Sequence, residues 1–455
     1  MDFTLNQNIF FCVVAVIPVI LWFVNTKKSV KTLLIGSIFI LIFTRGSFEL
    51  IGISSSLTRI LVELTFVFLF LYKLLTLKKY RPKAPGFKWI LIFLIISTFS
   101  IYVNPKYSLT HLLLFSKEYL MLFLIIFVFS NSKFKQWEYY KIDELISYLF
   151  ISQIFASLIK LIILKEPSEP YIGTMANVGG SQTTIFALIG SSYSILHFLY
   201  TKKPKFLLLT LLFLTFSVIG GKRATIFYFP IIYFLILYFF TKNYQIKLSY
   251  FYKQLVRAII ILPVIGYIMV ILSPTLNKEN KVGGSFNIDY VIEYSSGYIT
   301  GDRYDTDFIS RGDAPAYLFS KLYNISPVTF LIGNGAGHLV KSKFNQDVIG
   351  KTSDEITESK YGVAYGARTS FLQIFLQVGL LGVISFLLII ISIIRAVKKL
   401  KNNSNETTFY KIFTLVCLMI YLIDFLTYSN VLTTTSTMGI CFAWIISMNF
   451  RPIKP

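Results

Sequence analysis

One turn and three polar stretches hold most of the residues in this chain that are equipped for chemistry. The turn is Gly220-Gly221-Lys222-Arg223, where two adjacent cations follow two glycines between apolar runs. Glycines let a backbone approach a ligand closely, and a guanidinium fork matches phosphate oxygens bidentately. Lys222 and Arg223, with Gly221, therefore read as a clamp for an anionic headgroup or a diphosphate. An anchor on lipid phosphate is the other reading. The stretches are Ser-Arg-Gly-Asp at 310–313, Gly-Asn-Gly-Ala-Gly-His at 333–338 and Ala-Arg-Thr-Ser-Phe-Leu-Gln at 367–373. All three lie in one 98-residue polar interruption, 273–370, which holds half of all the acidic residues.

The elements that must position these residues are membrane helices. Of the 455 residues, 55% are hydrophobic, and the mean hydropathy is +0.66. An ordinary soluble domain is about 45–50% apolar. Runs able to cross a bilayer, which takes about 17–25 residues, recur along the chain. The expected fold is an all-α polytopic membrane protein of about 13 transmembrane helices (12–14) with one large extracytoplasmic loop. The spans fall near 9–24, 30–44, 57–77, 89–103, 112–130, 142–164, 182–200, 206–219, 224–240, 257–272, 371–394, 410–428 and 432–449. This makes one integral membrane domain: an N-terminal bundle at 1–272, the loop at 273–370 and C-terminal helices at 371–455. The first 30 residues lack the basic leader and the small-residue site of a cleaved signal peptide. Cys12, Cys417 and Cys441 all sit in apolar runs, with neither a disulfide framework nor zinc spacing.

A net charge of +22 raises the question of nucleic acid. Its placement excludes that partner. The loop carries ten Lys/Arg and eleven Asp/Glu; the rest of the chain carries 34 and 11. Twenty-six of those bases fall in alternate connections between spans, and eight in the other set. Cytoplasmic connections are enriched in Lys and Arg, so the N-terminus and the long loop are expected outside and the C-terminus inside. Arg59, Glu63, Lys117, Glu118, Lys160 and Asp424 then lie in the outward halves of their helices. Arg45, Glu49, His111, Lys222 and Arg223 lie at the same edge. Charges within spans are costly and tend to face a cavity or a partner. The group reads as a polar cleft opening outward, or as local pairs; Arg59 and Glu63 have the i, i+4 spacing of a pair. A loop this long is functional or disordered rather than a plain connection. Short surface helices are expected in it, one of them over 311–323, with a polar stretch at 341–360.

Four features resemble the O-antigen polymerase/ligase superfamily, bacterial membrane glycosyltransferases of the GT-C type. They are Gly-Lys-Arg-Ala at 221–224 opening a helix, and an early loop arginine, Arg311, in SRGDAPAYLF. FLIGNGAGHLV at 330–340 is similar to the family's hydrophobic-Gly-x-Gly segment. TSFLQIFLQVGLLGVISFLLII at 369–390 is similar to its re-entry helix, Leu-Gln followed by Gly-Leu-x-Gly. The resemblance covers roughly 205–395.

It implies a donor, a polyprenyl-diphosphate-linked oligosaccharide at the outer face of the bacterial cytoplasmic (inner) membrane, whose glycan is moved to an acceptor hydroxyl. It implies no nucleotide sugar, no metal and no cofactor. Membrane lipid, a chain-length regulator and a flippase of the same pathway are the implied partners. The diphosphate leaving group needs preorganised cations, a role that fits Arg223 and Arg311 with Lys222 in support. Gly221, Gly333, Gly335 and Gly337 are the expected substrate-binding glycines. Ligases of the family typically carry His-Asn just before the Leu-Gln; here Arg368-Thr369 stands near that position. A histidine can take the acceptor's proton, whereas arginine stays protonated. Arg368 is then a third phosphate contact, and a polymerase is favoured over a ligase. Asp313 and His338 are the candidate general bases. An ion pair at Asp313 and a turn role for His338 are the alternatives. Loop tyrosines and phenylalanines either stack on sugars or pack loop helices. A ligase or O-oligosaccharyltransferase, a lipid-linked oligosaccharide flippase, and a sensor or structural protein are the competing functions. The single dominant loop, the absence of an evident repeat and the outer level of the charges disfavour the flippase.

Overall fold

The computed structural model describes residues 29–50, 55–76, 85–104, 108–132, 134–164, 173–175, 180–220, 222, 224–272, 276–279, 281, 283–293, 312–339, 369–401, 404–427, 432 and 436–450. It is all-α, with no strand among these residues. The helices are α1 Val30–Phe43, α2 Arg45–Leu50, α3 Ser55–Thr76, α4 Phe87–Val103 and α5 Leu109–Ser130. Then come α6 Gln136–Leu164, α7 Gly180–Thr201, α8 Lys205–Ile219, α9 Ala224–Asn243 and α10 Leu248–Leu272. After the polar interruption begins, α11 Ala314–Ile325 and α12 Pro327–Ile332 precede α13 Ser370–Lys398, α14 Asn405–Thr427 and α15 Thr437–Ser447.

Among the described residues, seven helices are long and apolar enough to cross a membrane: α5, α6, α7, α9, α10, α13 and α14. Shorter apolar helices are α1, α4, most of α8, and α15. The fold is thus that of an all-α membrane protein. Each expected stretch from 30–44 onward coincides with one of these helices or with α3; the stretch 9–24 lies outside the described residues. Helix starts follow capping chemistry, in which a side-chain oxygen satisfies an orphan N–H. Thr369 Oγ1 accepts from Leu372 N at 3.3 Å, and Ser436 Oγ from Gly439 N at 3.0 Å. The expected loop helix at 311–323 begins instead at Ala314, because Asp313 takes the N-cap position and Pro315 the first turn.

Aromatic residues fill the core. Trp444 is fully buried and meets Phe39 and Phe129 edge-on at 5.9 and 5.1 Å. Phe386 stacks on Phe425 at 5.4 Å. In a medium without water, backbone and hydroxyl groups must be satisfied internally. Helical serines and threonines accordingly donate to carbonyls one turn back, as Ser192, Ser194, Thr210 and Thr241 do at 2.6–2.9 Å.

Connections segregate to two ends. At the lysine-rich end, Ser29 Oγ donates to Glu138 at 2.5 Å, Lys202 Nζ to Tyr250 Oη at 2.9 Å, and Tyr244 Oη to Asn405 O at 3.1 Å. Burial lifts the Tyr244 hydroxyl to about 12. At the other end, Gly46 N donates to Thr174 O at 2.8 Å and Thr437 Oγ1 to Ile42 O at 2.8 Å. The in-span charges found there are partnered. Glu63, buried, takes Arg59 Nε at 2.8 Å and Lys117 Nζ at 2.9 Å. Buried Lys160 donates to Gly173 O at 2.5 Å. Buried Asp424 accepts from Leu432 N at 2.8 Å.

Candidate functional site

The end opposite the lysine-rich connections is organised around a break in α13. Gly379 stands at φ 65, ψ −168 inside that helix, a conformation essentially confined to glycine. Residues 380–398 after the break form about 28 Å of helix at 1.5 Å per residue, close to the roughly 30 Å of a bilayer's hydrocarbon core. Residues 370–378 precede the break, and the loop helices pack on them. Phe319 of α11 meets Phe375 at 4.5 Å; Phe330 of α12 meets Phe375 at 5.5 Å. Ala314, Leu318 and Leu322 are the buried stripe of α11.

A break strands helix carbonyls. Here Leu376 O and Gln377 O accept from Asn334 N and Gly335 N, each at 3.0 Å. The two backbones touch: a Cβ on Gly333 would stand 2.4 Å from Gln377 O, and one on Gly379 2.4 Å from Leu331 O. Gly333 itself is at φ 79, ψ −177. Gln377, buried in this apolar helix, uses its amide fully. Its Oε1 accepts from Gly337 N at 3.2 Å and Leu339 N at 3.3 Å. Its Nε2 donates to Tyr119 Oη at 3.3 Å and Gln373 O at 3.1 Å. From the α4 side, Ser100 Oγ accepts from Ala336 N at 2.9 Å and Asn104 Nδ2 donates to Gly333 O at 3.3 Å. Gly337 lies on α5: a Cβ there would be 2.5 Å from His111 Cβ. His111 Nδ1 in turn accepts from Ser108 N at 3.1 Å.

With Gly333 N on Thr329 O at 2.7 Å and His338 N on Gly335 O at 3.1 Å, every N–H from 333 to 339 is donated within the protein. A phosphate cradle needs such groups directed at the ligand. Gly333, Gly335 and Gly337 thus act here in close backbone packing: they dock the loop on the break. The expectation that they contact substrate through the backbone would require those bonds to open.

His338 is buried within this turn. Asp313 is exposed at the start of α11, its side chain not engaged in capping. Lys222 belongs to the α8–α9 turn at the same end and is half-buried. Its N–H goes to Ser217 O at 3.0 Å and its carbonyl accepts from Thr225 N at 3.3 Å, while the Ser217 and Thr225 hydroxyls bond each other. Gly220 in that turn lies against Thr183 of α7. Arg223, Arg311, Arg368 and Gly221 lie outside the described residues, as do Cys12 and the stretch 341–360. Of the loop aromatics, Phe319, Phe330 and Tyr323 pack against one another and Phe375. Tyr317 is exposed, with Lys321 Nζ 5.9 Å from its ring. Near the exit of α10, hydrogen bonds from Lys281 and Ser285 hold the exposed Glu279 carboxyl at about 2, so it is ionised at any physiological pH.

Sequence reasoning missed the residues that hold the loop: Ser100, Asn104, Tyr119 and Gln377. A signal was present, since Ser97, Ser100 and Asn104 recur at helical spacing in an otherwise apolar run. Set against models of protein families, curated proteins and solved structures, the chain matches none.

Proposed function

We propose that this protein is a polymerase that joins polyprenyl-diphosphate-linked oligosaccharide repeat units into a surface polysaccharide at the outer face of the bacterial cytoplasmic membrane. The observation that carries this reading is the docking of 333–339 on the α13 break. Two segments that resemble one enzyme family, some forty residues apart, are one packed unit at the loop end of the bundle. The lysine bias makes that end the outer one. The reading takes all thirteen expected spans as crossing, with 273–370 as the extracytoplasmic loop.

In this scheme the sugar–phosphate bond of the donor breaks as an acceptor hydroxyl of a second lipid-linked repeat attacks. Arg223 and Arg311, with Lys222, stabilise charge on the departing diphosphate, and Arg368 adds a third contact. Between the candidate bases, the exposed Asp313 is better placed to meet an acceptor hydroxyl than His338, which is buried inside the docked turn. The turn's role is to fix α11, α12 and the arginine-bearing loop at the membrane boundary, where positioning lowers the barrier.

A strain lacking the gene provides the test, with its glycans sized on a gel beside the extracted lipid-linked intermediates. Single repeats on the acceptor, or stranded on the outward-facing carrier, are expected. Full-length chains stranded on the carrier would make the protein a ligase; repeats trapped facing the cytoplasm would make it a flippase. Arg223→Lys and Arg311→Lys are each expected to leave membrane levels unchanged and abolish long chains, because a lysine cannot reproduce the bidentate fork. Normal chain length in both variants would remove the diphosphate clamp.

A further inference from the structure

Thr183 and Thr184, near the start of α7, are fully buried, and neither hydroxyl has a hydrogen-bond partner among the described residues. This departs from the habit of the bundle, where helical hydroxyls bond back one turn. Thr32, Ser47 and Ser130 also lack partners among the described residues, but each stands singly. The Thr183 side chain faces the α8–α9 turn, its Cγ2 only 2.9 Å from where a Cβ on Gly220 would lie. That turn carries the Lys222 cation and leads into the N-terminus of α9, itself twenty residues long. Two long helices therefore bring their N-termini, with partial positive charge, to a turn that carries a lysine and touches Thr183.

One turn below, Phe216 O accepts from Gly220 N at 3.1 Å. Phe216 also lines a shallow, open apolar crevice between α6 and α8, with Leu158, Leu212 and Thr215. A cationic turn thus lies one turn of α8 from an apolar slot.

We infer that this is a binding site for a phosphate-headed lipid, with Thr183 donating to a phosphate oxygen beside Lys222 and the hydrocarbon chain lying in the crevice. The inference rests on the donor reading above and commits to the polyprenyl diphosphate carrier as occupant. It adds Thr183 as a ligand residue and the α6–α8 crevice as the tail slot.

The experiment is titration of purified full-length protein with geranylgeranyl diphosphate, and in parallel with inorganic diphosphate and with phosphatidylglycerol. Thr183→Val removes the hydroxyl at nearly constant shape, and Thr183→Ser keeps it. A hydrogen bond to a charged group is worth about tenfold in affinity, so T183V is expected to bind geranylgeranyl diphosphate about tenfold more weakly and T183S within about threefold of wild type. T183V should also unfold at the same or a higher temperature, because a buried unpaired hydroxyl is replaced by a methyl. Filling the crevice with Leu212→Trp should bring the affinity for geranylgeranyl diphosphate down to that for inorganic diphosphate. T183V binding like wild type, while Lys222→Ala weakens binding, overturns the role of Thr183 and leaves the lysine clamp standing. Equal affinity for inorganic diphosphate or for phosphatidylglycerol in the wild type overturns the carrier assignment. The polymerase reading itself is judged separately, by the glycan profile of the deletion strain.

Discussion

Gln377 is the residue on which the loop end depends. It is buried in the most apolar part of the chain, and each half of its amide makes two bonds. An isosteric apolar side chain would leave the Gly337 and Leu339 N–H groups without an acceptor. Each such loss costs about 1–3 kcal/mol, so Gln377→Leu is expected to destabilise by about 2–4 kcal/mol; thermal unfolding in detergent checks this. A melting temperature equal to wild type would mean that the amide is not the clasp. Such a residue is half legible in sequence. A lone glutamine amid Phe, Leu and Val announces a partner, but which partner depends on a turn some forty residues earlier. The same holds for Glu63. Its i, i+4 cation Arg59 is visible in the spacing, whereas Lys117, its second cation, is supplied by another helix.

At the scale of elements, the break in α13 is the feature a reading of the sequence passes over. From 370 to 394 the run is apolar enough to read as one span, and its glycines resemble those that occur in many membrane helices. What selects the break is tertiary: the backbone of 331–333 approaches Gly379 too closely for any side chain. Gly379→Ala must meet both the unfavourable φ and the contact with Leu331 O. The expected loss is about 3 kcal/mol or more. Gly266 of α10 is the control, because nothing lies within 4 Å of a Cβ there. Gly266→Ala is expected to be neutral or to stabilise by up to about 1 kcal/mol. Chemical unfolding of the two variants side by side measures the contrast, and equal effects would show that the break carries no close contact. The helices themselves were legible because hydropathy and length specify them. The loop helix at Ala314 was legible through its aromatic content, although its start moved to the Asp-Ala-Pro cap.

For the whole molecule, the segregation of connections to two ends turns charge counting into a geometric statement. Lys203 lies at the lysine-rich end, in the α7–α8 turn; Ser285 lies in the loop that follows α10. A membrane-impermeant maleimide is expected to label Ser285→Cys in intact cells, and Lys203→Cys only after permeabilisation. Cys417 and Cys441 are fully buried and should stay silent. Labelling of Lys203→Cys from outside would invert the orientation on which the polymerase reading depends. The gathering of lysines at one end was legible in the sequence; which end faces outward is what the labelling decides. The docking of the 333–339 turn was legible only as a region, because its arrangement is made by contacts between α4, α5, the turn and α13.

The docked turn also has a consequence in the order of synthesis. Residues 333–339 leave the ribosome before the helix whose carbonyls and glutamine will receive them. Until 370–379 follows, four of the seven backbone N–H groups, those of Asn334, Gly335, Gly337 and Leu339, lack their final acceptors. The loop end is therefore completed last, as the re-entering helix arrives. A nascent chain arrested before Ser370 should carry a protease-sensitive turn, which becomes resistant once Gly379 has emerged.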